Sequence, residues 1–280
     1  MESIQDIMQD IMARAQAQYQ ASLQKEAASN NYKCQKCKDV GGLIIDKVDD
    51  EPGITQGKTY QVWVDCDCTK QQIAQKLLRA SEITPEFRAM TFGNFRLDDV
   101  PPIAHDMQHL AVEYYKNFDQ LEKTEHNSIA FLGQPGVGKT HLLTALSNNM
   151  MSNKLKSVLY FPYVEGFNDL RDDFEKLEAK IIRMKQVDIL FIDDLFKPVS
   201  KPGKDGARIR VPQASEWELK QLYAVINYRQ INHKPIFISS ELSFDEIINL
   251  DEALGTRIYK MCKKHFIQVD KDLGLNYRLK

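Results

Sequence analysis

Residues 133–140 read GQPGVGKT, and the apolar run NSIAFLG leads directly into them. No other stretch restricts the possible fold as strongly. Gly133, Gly136 and Gly138 let the backbone curl until successive amide hydrogens face one point, and a helix starting there adds the positive end of its dipole. Such a loop holds phosphate when a strand precedes it and a helix follows. Gly133, Gln134, Pro135, Gly136, Val137, Gly138, Lys139, Thr140 and His141 are therefore the candidate nucleotide-binding residues. Within them Lys139 is expected to reach the β and γ phosphates of ATP, and Thr140 to place its hydroxyl on Mg²⁺.

The residues around the loop repeat one theme. Short apolar runs (NSIAFLG, SVLYFP, VDILFI, PIFISS, HFIQV) alternate with helical patterns over 139–151, 166–185 and 214–231. This alternation predicts an α/β fold, a parallel sheet with helices on both faces. VDILFIDD supplies the second half of a nucleotide site, a buried strand ending in two acids. Asp193 is expected to hold Mg²⁺ and Asp194 to orient the attacking water, which makes ATP hydrolysis the expected reaction.

The N-terminal third has a different character. Cys34 and Cys37 form a CxxC pair, followed after 28 residues by Cys66 and Cys68 as CxC, with β-rich segments between them. Four thiolates complete one tetrahedral zinc site, and the absence of histidine between them favours a closed structural centre. A tight turn would aim the first pair at one ion, while Cys66 and Cys68 are expected to share one side of an extended strand. Cys262 stands apart and reads as a buried hydrophobe. A disulfide framework is not expected, because no segment resembles a secretory signal or approaches the roughly 18 apolar residues of a membrane span. The chain is accordingly expected in the cytoplasm.

Ile4, Ile7, Met8, Ile11, Met12, Ala15, Tyr19 and Leu23 fall on one face of an amphipathic helix, suited either to its own core or to a partner. The expected organisation is that helix over 1–30, a zinc-binding module over 31–80 ending in a helix from residue 69, a linker over 81–100, and an ATPase domain over 101–280. A length of 280 residues suits one full domain with a small module. Thr84-Pro85 interrupts helical geometry before the linker, and Met107, Leu110, Ala111, Tyr114, Phe118 and Leu121 mark the apolar face of the next helix.

A net charge of -2 leaves nucleic-acid contact to local patches. Residues 197–210, KPVSKPGKDGARIR, carry Lys197, Lys201, Lys204, Arg208 and Arg210 against Asp205, and their prolines and glycines predict an irregular basic loop. It suits either a phosphate backbone or a protein surface. The segment 158–185 carries Phe161, Tyr163, Phe167 and Arg171, whose aromatic rings suit stacking on bases or the core. Lys260, Lys263, Lys264 and His265 form a weaker basic group.

TPEFRAMTFGNF at 84–95, GQPGVGKTHLLTAL, ILFIDDLF, NYRQINHKPIFISSEL and DEALGTRIYKMC together resemble the DnaC/DnaI-type helicase loaders, AAA+ ATPases close to DnaA and the IstB transposition ATPases. The resemblance spans about residues 84–270. It implies loaders that assemble side by side on ATP, grip single-stranded DNA, and open or hold a hexameric replicative DNA helicase. The cysteine module and leading helix resemble the helicase-binding region of the DnaI type. The resemblance places Ser240 at the sensor-1 position, with Glu241 where asparagine is usual. It makes Arg257 the arginine finger that reaches a neighbouring subunit's ATP, with Arg229 either a second interface candidate or a cap on a helix C-terminus.

Two departures shape the expected mechanism. Asp194 stands where most such enzymes carry glutamate, which predicts slow hydrolysis stimulated by DNA or a partner. The chain ends about ten residues after HFIQV, so no C-terminal helical lid is expected. A phage or prophage replicon suits the residues as well as a host chromosome. An IstB-like helper on duplex target DNA and an adaptor that binds ATP only for shape are the competing readings.

Overall fold

The computed structural model describes residues 32–49, 56–96, 101–202 and 207–279. The amphipathic helix expected over 1–30 lies outside them. The described residues form two compact units, one up to residue 72 and one from residue 73 onward.

In the first unit β1 (Gly42–Val48) pairs antiparallel with β2 (Thr59–Asp65), Gly42 opposite Asp65 and Val48 opposite Thr59. Helix α1 (Asp67–Ala80) follows at once. Cys66 and Cys68 therefore do not share an extended strand: the strand stops at Asp65, and Cys68 sits in the first turn of α1. A sharp turn into a helix brings the two sulfurs toward one point as well as strand alternation would.

The second unit opens with a short helix, α2 (Pro85–Arg88), whose N-cap Thr84 accepts from the Phe87 amide. The residues expected as linker are fixed to this unit as far as Arg96. Ile83 is buried, and Phe87, Phe92 and Phe95 pack on the core. The Asn148 amide donates to the Phe87 carbonyl at 3.1 Å and the Met90 carbonyl at 2.9 Å, so this strip of backbone keeps its hydrogen bonds. Apolar rings outweigh the broken helical pattern there. Helix α3 (Pro102–Leu121) then buries Met107, Ala111, Tyr114 and Phe118, the face its periodicity marks.

The five apolar runs become β3 (Ile129–Gly133), β4 (Val158–Pro162), β5 (Ile189–Asp193), β8 (Ile236–Ser239) and β9 (Phe266–Val269). They form one parallel sheet in the order β4-β5-β8-β3-β9. Strand alternation divides the interior in two. Ala130, Leu132, Leu190, Ile192, Ile236 and Ile238 enter one core. Ile129, Phe131, Ile189, Phe191 and Phe237 enter the other. Helix α4 (Lys139–Asn153) lies in the second core and is apolar on most sides, with Leu142, Leu143, Ala145, Leu146, Met150 and Met151 buried.

The helical pattern expected over 166–185 is split into α5 (Tyr163–Asn168) and α6 (Phe174–Gln186). Asp173 ends the irregular link by capping α6 through the Lys176 amide. Phe161, Tyr163 and Phe167 stack edge to face within the core, so none of these rings is offered to a base. After β5 the basic segment is not irregular on either side of residues 203–206. It forms β6 (Val199–Pro202) and β7 (Arg208–Val211), an antiparallel pair. Helix α7 (Glu216–Ile231) begins with a capping box of Ser215 and Glu218, and α8 (Phe244–Leu250) with one of Ser243 and Glu246. Helix α9 (Glu252–Cys262) precedes β9 and buries Cys262. No helix among the described residues is long and apolar enough to cross a membrane.

Candidate nucleotide and metal sites

The phosphate loop joins β3 to α4. Gly136 and Gly138 have φ of 80° and 95°, a region that side chains disfavour. The space beside them is also taken: a Cβ on Gly136 would lie 1.9 Å from Asn276 Oδ1, and one on Gly138 2.4 Å from the Phe95 ring. Residues 92–95 and the C-terminal turn thus close on the loop from separate directions, and the Tyr277 amide donates to the Gly136 carbonyl at 3.0 Å. Gln134, Val137 and Lys139 are buried. The Lys139 ammonium donates to the carbonyls of Gly133 and Gln134 at 2.8 and 2.7 Å. His141 Nε2 lies 3.0 Å from the Thr91 carbonyl, and its ring meets Phe95.

A cavity of about 460 Å³ opens over this loop and reaches Asp193, Asp194, Lys197 and Glu241. Asp193 ends β5, buried, and accepts from Thr140 Oγ1 at 2.8 Å, from Tyr160 Oη at 3.0 Å, and from the Ser239 hydroxyl. Burial pushes its carboxyl above the ordinary carboxylate range, and the Asp194 charge adds to this, against the three hydroxyl donors. Asp194 has φ of 54° and donates its amide to Ser239 Oγ at 2.9 Å. Its Oδ2 accepts from Lys197 Nζ at 2.6 Å.

Ser239 is thus the serine at the two acids. Ser240 is buried on the other side of the sheet end, where its hydroxyl donates to the Leu195 carbonyl at 2.7 Å. The expectation for Ser240 is corrected by strand parity: Phe191, Asp193, Phe237 and Ser239 share one face, and Ser240 follows Ile238 to the opposite one. The register that sets Phe191 opposite Phe237 decides this, and two strands buried on every residue do not record it in the sequence. Sequence reading also missed Tyr160, Asn276 and Tyr277, which reach the loop and acids from distant segments.

The two arginines part company. Arg229 is fully buried and donates to the carbonyls of Met184, Val187, Asp188 and Pro235 at 2.7 to 2.9 Å, so it ties chain turns together and faces no subunit interface. Arg257 lies on α9 away from its own cavity, over the Tyr223 ring at 4.8 Å and donating to Asn227 Oδ1 at 3.2 Å.

The donor set fits a nucleoside triphosphate with a hard divalent cation. Thr140 and Asp193 offer the oxygen ligands Mg²⁺ requires, and Lys139 with the loop amides offers the phosphate contacts. In the first unit the four sulfurs of Cys34, Cys37, Cys66 and Cys68 lie within 4.8 Å of one another, with Cys34–Cys66 at 3.7 Å and Cys37–Cys68 at 3.4 Å. Tetrahedral zinc with bonds of about 2.3 Å sets sulfurs roughly 3.8 Å apart, so the cluster has the size a zinc ion needs. The backbone amide of Cys37 lowers the Cys34 thiol to about 7, while the Cys37 side chain and burial push the Cys68 thiol up.

Residues 103–262 match the bacterial DnaA ATPase domain. The chain belongs to that family. As a member it is an AAA+ ATPase. The phage-like element PBSX protein XkdC of Bacillus subtilis (strain 168) is 44% identical over 271 residues, 96% of this chain and 95% of that protein. Crystal structures of DnaI and of the DnaC helicase loader share the fold, each with a TM-score of 0.50 and 19% identity over 68% of this chain, covering 94% and 100% of theirs.

Proposed function

We propose that the chain is an ATP-dependent helicase loader, which binds a hexameric replicative DNA helicase and places it on single-stranded DNA during replication initiation. The observation that carries this reading is the pairing of an AAA+ ATP site with a four-cysteine module ahead of it, on the fold of a solved helicase loader. Residues 1–30 and the zinc module dock the helicase, and the domain that follows binds ATP, self-associates and holds single-stranded DNA. The relative in a phage-like element favours a phage or prophage replicon.

Each site residue takes a role on this reading. Residues 133–141 hold the nucleotide, with Lys139 on the outer phosphates. Thr140 and Asp193 hold Mg²⁺, which neutralises the charge that builds on the phosphates. Asp194 orients the attacking water, Ser239 keeps both acids in place, and Arg257 serves a neighbouring copy. An aspartate at 194 falls one methylene short of glutamate, so hydrolysis is slow and works as a timer.

Native mass spectrometry of the full chain with the hexameric helicase of its source, with and without ATP, tests the proposal. A helicase complex carrying several copies, lost when Cys34 and Cys37 are replaced by serine, is the expected result. No complex in any nucleotide state, with preference for duplex over single-stranded DNA, would overturn it in favour of a transposition helper.

A further inference from the structure

The basic hairpin stands directly beside the two acids of the ATP site. Register pairs Ser200 with Arg210 and Pro202 with Arg208, so both arginines lie on one face of the β6–β7 ribbon. Lys201, Arg208 and Arg210 are exposed, and neither strand carries an acid. An exposed strand pair with this charge fits a phosphate backbone, without base readout.

Each side of the ribbon is tethered to the cavity. Lys197, two residues before β6, donates to Asp194 Oδ2 at 2.6 Å. Arg210 on β7 pairs with Glu241, which follows β8. Asp194, Lys197 and Glu241 all line the nucleotide cavity. Both cations remain within reach of an outside anion, with side-chain exposures of 46% for Lys197 and 41% for Arg210.

We propose that this hairpin is a latch on hydrolysis, operated by a phosphodiester backbone. The inference rests on the ATP-site reading above and adds its regulation. In hydrolysis the water oxygen bonds to the γ phosphorus, the bond to the β–γ bridging oxygen breaks with its electron pair leaving on ADP, and the water's proton passes through Asp194 to solvent. Asp194 must turn its carboxylate to that water, and the Lys197 bond to Oδ2 holds the carboxylate in another orientation. Phosphates along the ribbon compete for Lys197 and Arg210. A half-exposed ion pair is weak enough to be exchanged for several such contacts. Backbone binding then releases Asp194 to the water and Glu241 from Arg210, so nucleotide turnover speeds up when a strand lies on the hairpin.

Steady-state hydrolysis by the full chain, with and without oligodeoxythymidylate at two salt concentrations, tests the latch. The oligonucleotide should accelerate the wild-type protein, less so at the higher salt. Lys197→Gln should hydrolyse ATP about five-fold faster without DNA, as expected for loss of one half-exposed pair, and respond little to the oligonucleotide. Glu241→Gln, which frees Arg210, should tighten oligonucleotide binding measured by fluorescence anisotropy. Lys197→Gln that is no faster than wild type without DNA, or equally stimulated by it, would overturn the latch. So would wild-type hydrolysis indifferent to the oligonucleotide. Failure of the wild-type chain to bind a fluorescent ATP analogue, when compared with Lys139→Ala, would instead sink the ATP-site reading itself.

Discussion

Thr140 and Asp193 meet at 2.8 Å although 53 residues separate them. One opens a helix, the other closes a strand two places away in the sheet, and the Ser239 hydroxyl fills the strand end between them. Because these oxygens form the cation's place, Asp193→Asn should weaken Mg²⁺-dependent nucleotide binding by about 10- to 100-fold. Titration of a fluorescent ATP analogue with and without Mg²⁺ measures it, and equal Mg²⁺ dependence in variant and wild type would remove Asp193 from that role.

Ser239 and Ser240 separate by function. Ser239→Ala should cut turnover roughly ten-fold with little change in nucleotide affinity, because both acids lose their common support. Ser240→Ala removes the bond to Leu195 and should lower the melting temperature while leaving turnover near wild type. The reverse pattern in a hydrolysis and melting comparison would restore Ser240 to the site.

Arg229→Ala would remove the donor shared by the Met184, Val187, Asp188 and Pro235 carbonyls, of which Pro235 keeps the Leu190 amide. A loss on the order of 4 kcal/mol in urea unfolding is expected, with Arg229→Lys recovering little because an ammonium cannot span the fork of acceptors. A mild change would mean the carbonyls find other donors.

The cysteine cluster predicts one zinc per chain by elemental analysis. Chelation or Cys37→Ser should release it and abolish protection of residues 32–49 and 56–72 in hydrogen exchange, while the ATPase unit keeps its melting transition. Bound metal surviving in Cys37→Ser would point to other ligands.

His265 supplies a pH dependence. Its Nδ1 is buried without a hydrogen-bond partner, and its ring meets Tyr114 edge-on. Burial holds its pKa below the usual histidine value, assisted by the Lys264 charge and opposed by the backbone contact with His126. The unfolded chain takes the proton near pH 6.5 while the folded chain resists it, so this contribution is complete above about pH 6.5 and lost as pH falls through the depressed value. His265→Phe should flatten the decline in melting temperature between about pH 6.5 and 5. An unchanged slope would exclude His265 as its source.

The sequence by itself determined the phosphate loop, the acid pair after β5 and the four cysteines, because each is a local pattern whose spacing is fixed by the group it holds. It also determined the five strands, since β3, β4 and β5 are apolar on successive residues and only strands covered on both faces accept that. Only the tertiary structure decided the rest. Whether Arg229 faces solvent or four carbonyls depends on where the turns at 184–188 and 235 come to lie. Lys197 and Arg210 could be read as basic, but their pairing with Asp194 and Glu241 depends on the ribbon folding back over the sheet's end. Asn276 and Tyr277 meet Gly136 across about half the chain. Such contacts follow from how layers pack, and nothing local in the sequence records the partner's position.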